Sequence, residues 1–180
     1  MGNNLSNFTI IRVKPTITTD QHANMDVVFT GTEIPNAVLG NAGCSMLMTA
    51  YIVDYSDQQD IDMQIHFTQE STSFGSLNAT ANITEADLES IGYNGFIKLD
   101  ADQARSGAAV DNATITQLIP ASGNGENVSP LLYLQAKEGT SSVYAHAIVT
   151  SGTPTFTQTD DLELVLHIKC LNSVQNQKTT

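Results

Sequence analysis

The chain has 180 residues, a length at which a single domain buries roughly 70% of the surface of its unfolded chain, so its core needs neither disulfides nor metal. Seven basic against nineteen acidic residues give a net charge of -12, which opposes nucleic-acid binding through phosphate contacts. No run of eighteen apolar residues and no N-terminal signal pattern occurs, so we expect neither a membrane span nor an export signal.

Residues 1–15 are predicted to be an N-terminal arm and edge strand. The strand-like run begins at Phe8 and is closed by Pro15. Before Asp20 the only charged side chains are basic, while the acidic excess lies in the body. A basic arm on an acidic body suits docking onto a partner, and the docking candidates are Phe8, Ile10, Arg12 and Lys14. The alternative is an ordinary edge strand that carries solubilising charges.

The next segments predict three strands. A short strand from Asp26 to Thr30 is followed by a loop from Thr32 to Ala37, where proline and asparagine favour a turn. The stretch from Cys44 to Tyr55 is apolar on both sides, which indicates a central strand. Ile61 to Thr68 alternates with period two, and we expect it to pair with the strand before it.

Four aspartates crowd the turn between the last two of these strands: Asp54, Asp57, Asp60 and Asp62. Hard cations need several carboxylates and carbonyls that converge, so these residues are the metal candidates. Their spacing lacks the glycine and the closing glutamate of an EF-hand, which favours a solvated turn whose charge repulsion is screened by salt. No cofactor is predicted.

The two cysteines, Cys44 and Cys170, lie in strand-like runs without a CxxC or metal-ligand spacing. We interpret both as small buried hydrophobic residues. Their pairing stays open at this stage, because separation along the sequence does not give a distance in space.

One short helix is predicted from a capping pattern. Thr84 to Asp87 approximates a capping box, Ile83 and Leu88 are placed to form a hydrophobic staple, and Gly92 ends the helix. Strands are then expected over Gly95 to Leu99 and Ala113 to Ile119.

The C-terminal third predicts three consecutive antiparallel strands: Leu131 to Ala136, Val143 to Val149 and Asp161 to Lys169. In each strand apolar residues alternate with polar ones, so we expect one buried face and one wet face. The wet face is predicted to be a contact surface near an oligomer axis, formed by Tyr133, Tyr144 and His146.

These elements predict an all-β fold: an antiparallel β-sandwich, jelly-roll-like, with one short helix. We expect a single domain over residues 16–171, followed by a polar tail over residues 172–180. The sequence lacks three common catalytic patterns: a Gly-x-Ser-x-Gly elbow, a cysteine marked out beside a histidine, and a glycine-rich phosphate loop. We therefore do not predict an enzyme.

Several strand and turn segments follow one another in a characteristic order. They are Asp26-Val27-Val28-Phe29, Glu33-Ile34-Pro35-Asn36-Ala37, Ala50-Tyr51-Ile52-Val53-Asp54, and Val143-Tyr144-Ala145 leading through Gly152-Thr153-Pro154-Thr155-Phe156 to Asp161-Leu162-Glu163-Leu164. In this order the chain resembles small β-sandwich head decoration or cement proteins of tailed bacteriophages.

The resemblance implies a virion protein on the outer surface of an icosahedral head, bound to the major capsid protein and trimeric with itself. It implies no catalytic residue and no nucleic-acid or membrane partner. The leading hypothesis is therefore a capsid decoration protein that stabilises the shell. Its rival is a phage fibre or adhesin-type module that binds a receptor or glycan through the loops Asp100 to Asn112 and Pro120 to Pro130. A signalling sandwich is a more distant third hypothesis.

Overall fold

A computed structural model describes residues 7–56, 61–99, 113–120 and 132–171. Within these ranges the chain forms nine strands and one short helix. In chain order they are β1 Phe8–Val13, β2 Val27–Ile34, β3 Cys44–Asp54, β4 Asp62–Thr68, α1 Glu85–Ser90, β5 Tyr93–Leu99, β6 Thr114–Pro120, β7 Leu132–Gln135, β8 Val143–Ser151 and β9 Leu162–Leu171.

The strands build two antiparallel sheets that pack face to face. The first sheet has the order β1-β9-β3-β6, and β7 also pairs with β3. The second has the order β5-β4-β8-β2. The end of β6 pairs with β5, which joins the sheets at one corner. An all-β antiparallel sandwich with one short helix is thus confirmed.

The path of the chain between the sheets is jelly-roll-like. Strands β1, β3, β6, β7 and β9 belong to the first sheet, and β2, β4, β5 and β8 to the second, so the chain crosses repeatedly from one to the other. Strands β6 and β7 share the same edge of β3, at its two ends. Together they fill one strand position, which leaves four positions in each sheet, as in an eight-stranded jelly roll.

The core lies between the sheets and follows from the period-two pattern of the strands. In β9 the inward residues are Leu162, Leu164, Leu166 and Ile168, and all four are buried. They face the inward residues of the second sheet, including Met63, Ile65 and Phe67 of β4 and Val143, Ala145, Ala147 and Val149 of β8. Burial of these apolar side chains is the main term that stabilises the sandwich.

The outer face of the second sheet is covered by residues 69–92, which we call the covering segment and which contain α1. Phe74 and Ile91 of this segment are buried against Val27 and Ile148. The helix begins as predicted: the Thr84 hydroxyl accepts from the Asp87 backbone N–H at 3.2 Å, and the Asp87 carboxylate accepts from the Thr84 N–H at 3.0 Å. Gly92 follows the helix with a φ of 64°, a conformation that suits glycine.

A β-bulge in β3 changes which of its side chains face the core. Leu47 pairs with Ile168 and Thr49 with His167, so Met48 is an extra residue in the ladder. As a result Leu47 and Ala50 both face inward, and Met48 is exposed. Strict alternation along a regular strand would place Met48 and Ala50 on the same side, and the bulge is the reason that they lie on opposite sides.

The prediction of three C-terminal strands in a row was wrong in its pairing. Strands β7 and β9 lie in the first sheet and both pair with β3, whereas β8 lies in the second sheet between β2 and β4. The predicted wet face is also wrong for β8, because the covering segment packs on it and buries His146 and Ile148.

Two smaller predictions need correction. Strand β2 extends through Ile34, where a loop from Thr32 was expected, because Thr32, Glu33 and Ile34 pair with β8. Strand β4 pairs with β5 and β8 and not with β3. In a sandwich consecutive strands can belong to opposite sheets, so nearness in sequence does not imply pairing.

Candidate interaction surface

The outer face of the first sheet, unlike that of the second, has no covering segment among the described residues. The registers between strands define its side chains. They are Phe8, Ile10 and Arg12 of β1, Glu163, Val165, His167 and Lys169 of β9, Met46, Met48, Thr49, Tyr51 and Val53 of β3, and Tyr133 of β7. We call this set the outer face.

Large apolar side chains are exposed on this face. Within the described residues eight large hydrophobic side chains are exposed, and five of them lie on the outer face or at its end: Phe8, Ile10, Met48, Tyr55 and Tyr133. Each is 42–61% exposed. Single exposed apolar residues are normal on protein surfaces, but clustering on one face indicates a binding surface.

The centre of the face is partly packed on itself. Val53 and Val165 are buried together with Ala113, and Tyr51 and Ile115 pack against them. The rings of Tyr51 and His167 meet edge to face with centroids 5.4 Å apart. These contacts hold the side chains of neighbouring strands in place, so the face is an ordered surface.

An ion pair anchors β1 to the face. Arg12 Nη1 donates to both carboxylate oxygens of Glu163, each at 3.1 Å, and the Tyr55 hydroxyl donates to the same carboxylate at 2.9 Å. The bond to Glu163 is the main cause that raises the pKa of Tyr55 above its ordinary value, and burial adds to it. Glu163 is only 7% exposed, so both donors satisfy a buried charge.

Basic side chains border the apolar residues. Lys14 Nζ lies 3.6 Å from the Asp160 carboxylate and 4.9 Å from the centre of the Tyr55 ring. Lys169 Nζ lies 5.6 Å from the centre of the Phe8 ring. With Arg12, three of the seven basic residues of the chain gather at this face, although the whole chain carries a net charge of -12. Two of the three are paired with acids, Arg12 with Glu163 and Lys14 with Asp160, so the face is close to neutral and fits a mainly apolar partner surface.

The four docking candidates from the sequence lie together. Phe8, Ile10 and Arg12 alternate onto the outer face along β1, and Lys14 continues the same side at the end of the strand. The sequence did not single out Met48 and Lys169 as members of this surface. The bulge at Met48 and the pairing of β9 with β1 depend on contacts between strands that are distant in sequence, so no local sequence pattern predicts them.

The three predicted oligomer-contact residues do not lie together. Tyr133 is on the outer face of the first sheet, whereas Tyr144 and His146 are on β8 of the second. Tyr144 is half-buried, and His146 is fully buried. A side chain without exposed area cannot lose area on assembly, so the prediction for His146 was wrong.

Hydrogen bonds within the protein replace water around the buried ring of His146. Its Nδ1 accepts from the Gly31 N–H at 3.0 Å and lies 2.9 Å from the Thr30 hydroxyl. Its Nε2 lies 2.9 Å from the Thr68 hydroxyl, which donates its own proton to the Glu70 carbonyl, so Nε2 carries the ring proton. Every polar atom of the ring has a partner, which fits a structural role.

The aspartate turn is only partly described. Asp57 and Asp60 lie outside the described residues. Asp54 is buried and accepts from the Ser56 N–H at 2.8 Å and from the Ser56 hydroxyl at 2.6 Å. Within the described parts of the chain, no group of three or more histidine, cysteine or acidic side chains is placed to hold a metal ion.

Cys44 and Cys170 are both free thiols and only half-buried, so the prediction that both are buried was wrong. They lie on adjacent strands, where Cys44 pairs with Leu171 and Ser45 with Cys170. Directly opposed residues share a face and their neighbours take the other, so the two sulfurs lie on opposite faces of the sheet. A disulfide between them is incompatible with this register.

The rival hypothesis, a receptor- or glycan-binding module, places its binding site in two loops. Apart from the backbone of Pro120, the ranges Asp100 to Asn112 and Pro120 to Pro130 lie outside the described residues.

Comparisons with known proteins add no identification. No family model, no curated protein and no solved structure matches the chain. Among the described residues, no helix is long and apolar enough to cross a membrane.

Proposed function

We propose that the protein is a non-enzymatic virion structural protein that binds the outside of an icosahedral capsid and stabilises it. The outer face is the docking surface in this proposal. The observation that carries it is the asymmetry of the sandwich: the covering segment protects one sheet, and the other presents exposed apolar side chains with basic neighbours.

The physical properties of the two sides support this assignment. Burial of the exposed apolar side chains against a capsid subunit would supply the binding free energy, and the near-neutral charge of this face, within a chain of net charge -12, keeps repulsion from that subunit low. The acidic body would remain in solvent, away from packaged nucleic acid. Each copy adds a modest contact, and the symmetry of the shell repeats it.

The resemblance to decoration proteins of tailed phages supports the same function, with the major capsid protein as partner. It also implies a homotrimer, and that oligomeric state stays a prediction. A receptor-binding module would act through its loops and would leave the outer face unused.

The test is a capsid-binding experiment with outer-face variants. Purified chain is added to capsids that lack it, and the temperature at which the capsids open is measured. We expect protection by the wild-type chain, and binding weakened at least roughly tenfold by Met48→Glu or Tyr133→Glu, because each buries a charge.

The matched control is Met25→Glu, which alters an exposed methionine on the side of the second sheet, where its N–H donates to the Val149 carbonyl at 2.8 Å. It should protect capsids as well as wild type. Absence of binding by the wild-type chain would contradict the function. Equal effects of all three variants would contradict the docking surface.

A further inference from the structure

Strands β1 and β2 lie at the two ends of the strand order, and the fold treats these two edges differently. At the edge of the second sheet, Val27 of β2 is bonded to the covering segment: its N–H donates to Ala79 O, and its carbonyl accepts from the Asn78 N–H, both at 2.9 Å. At the edge of the first sheet, β1 pairs with β9, and no other described strand pairs with it.

One hydrogen bond shows which backbone N–H and C=O groups of β1 face β9 and which face away from the sheet. The Cys170 N–H donates to Asn7 O at 2.7 Å, so residues 7 and 170 form a hydrogen-bonded pair. These pairs alternate along an antiparallel ladder, so Thr9, Ile11 and Val13 also bond to β9. The N–H and C=O groups of Ile10 and Arg12 therefore point outward from the edge of the sheet.

The edge is also regular. All six residues of β1 pair with β9 without a register shift, whereas the pairing of β2 with β8 shifts twice. Natural proteins protect sheet edges with prolines, bulges or covering segments, and a flat unprotected edge is a template for another strand. No proline or bulge interrupts β1, and its charged residue Arg12, like Lys14 just beyond the strand, is paired with an acid of this chain.

We propose that two copies of this chain associate by antiparallel pairing of their β1 edges about a two-fold axis at Ile10. Ile10 then faces the partner's Ile10, and Phe8 faces the partner's Arg12. Because Ile10 projects its backbone groups outward, the central pair is a hydrogen-bonded one. The two first sheets become one continuous sheet.

The side chains of β1 are complementary in this register. The Arg12 and Phe8 side chains are both largely exposed, and the ring of Phe8 already has a cation, Lys169 Nζ, at 5.6 Å. The aliphatic stem of the partner's Arg12 can pack on this ring while its guanidinium keeps the bonds to Glu163. Each such contact occurs twice, because the two-fold axis repeats it.

Local charge favours a second copy as the occupant. The chain carries a net charge of -12, which opposes self-association in general. At this edge, however, Arg12 is paired with Glu163 and Lys14 with Asp160. The two strands therefore approach as locally balanced surfaces. The pairing uses backbone groups in the plane of the sheet, so the outer face stays available, and the inference does not rest on the proposed function.

The first test measures the oligomeric state of the full chain by sedimentation from roughly 1 µM to 1 mM. We expect a concentration-dependent dimer for wild type, whereas the resemblance to decoration proteins implies a homotrimer, so the measured stoichiometry separates the two expectations. Ile10→Pro removes the N–H at the two-fold axis, and proline is tolerated on an edge strand where the N–H points away from the sheet. This variant should stay monomeric with an unchanged circular dichroism spectrum. The control Ile10→Val retains the N–H and the branched side chain and should dimerise like wild type.

The second test checks the register by disulfide cross-linking in a Cys44→Ser, Cys170→Ser background. Ile10→Cys should cross-link with itself, because hydrogen-bonded pairs have Cα atoms about 5.5 Å apart. Phe8→Cys and Arg12→Cys should each fail alone, since each lies about 13 Å from its own copy along the strand. Mixed together, the two variants should cross-link.

A wild-type chain that is monomeric at every concentration would overturn the inference. So would a dimer that forms equally with Ile10→Pro, or an oligomer without cross-linking at residue 10. If proline at position 10 disrupts the fold, cross-linking of the cysteine variants decides the question alone.

Discussion

His66 of β4 lies directly opposite His146 of β8, and the ring of Phe74 packs against both. The Phe74 ring stacks on His146 with centroids 4.1 Å apart, and its centroid is 5.4 Å from that of His66. Burial lowers the pKa of His66 to about 4, and burial together with the neighbouring His66 lowers the pKa of His146 to about 4. Two neutral imidazoles thus lie where the covering segment meets its sheet.

The histidine pair predicts that the protein loses stability in mild acid. In the unfolded chain both histidines titrate near their ordinary pKa of 6.5, so between pH 6.5 and about 4 the unfolded state binds more protons. The free energy of unfolding should therefore fall as pH decreases through this window, by up to about 1.4 kcal/mol per pH unit for each histidine. Urea unfolding at a series of pH values measures it.

A variant and a control test whether the histidine pair causes this pH dependence of the free energy of unfolding. His66→Phe places a third aromatic ring beside Phe74 and Phe96 and removes one proton-binding group, so the slope between pH 6.5 and 4 should fall, while His146 and the buried His22, whose pKa burial also lowers, supply the remainder. The control Met48→Leu, on the outer face of the first sheet, changes no proton-binding group and should leave the slope unchanged. An unchanged slope in His66→Phe would contradict the assignment.

The contacts of Glu163 predict unequal costs for removing its partners. Arg12→Met leaves a buried carboxylate with one remaining donor, Tyr55, and should cost about 2 kcal/mol. Glu163→Gln leaves Arg12 in solvent and should cost about 1 kcal/mol or less. The control Lys14→Met breaks an exposed pair and should cost under about 0.5 kcal/mol. Urea unfolding at neutral pH gives all three values, and equal costs would show that burial of Glu163 is unimportant.

The cysteine register predicts two free thiols in air-oxidised protein. Thiol titration of the unfolded chain should count two per molecule, and mass spectrometry without reductant should find no internal disulfide. In the folded protein both should react slowly, because burial raises the pKa of Cys44 and of Cys170 and lowers the thiolate fraction. Detection of an intact Cys44–Cys170 bond in folded protein would show that the register of β3 and β9 is wrong.

The outer face predicts substitutions that leave the fold intact. Met48→Ser and Tyr133→Ser remove exposed side chains and should change stability by less than about 0.5 kcal/mol each. Phe67→Ala, in the core between the sheets, should cost about 3–5 kcal/mol. Thermal unfolding compares the three. A large loss of stability in the two serine variants would mean that the face is part of the packed core.

Local sequence patterns correctly predicted the features that depend on residues close together in the chain. The capping box at Thr84 and Asp87 formed as predicted, because its bonds span three residues. The inward residues of β4 were also predicted, since alternation places every second side chain on one face. The outward placement of Phe8, Ile10 and Arg12 follows from the same alternation.

Long-range contacts decided the rest. The residues of β8 alternate as in a strand with one buried face and one face exposed to solvent. The covering segment nevertheless packs on the outer side of β8 and buries His146. Nothing within β8 encodes that contact, because the segment lies more than fifty residues earlier in the chain. The bulge at Met48 is likewise a property of the β3–β9 ladder.

By itself, then, the sequence determined the all-β class, the strands that alternate and the single capped helix, since these depend on backbone geometry and local hydrogen bonds. Only the tertiary structure decided which strands pair and which sheet is covered. Burial of apolar surface is a property of the whole assembled sandwich, so it could leave Ile10 and Tyr133 exposed on one sheet and enclose His146 beneath the other.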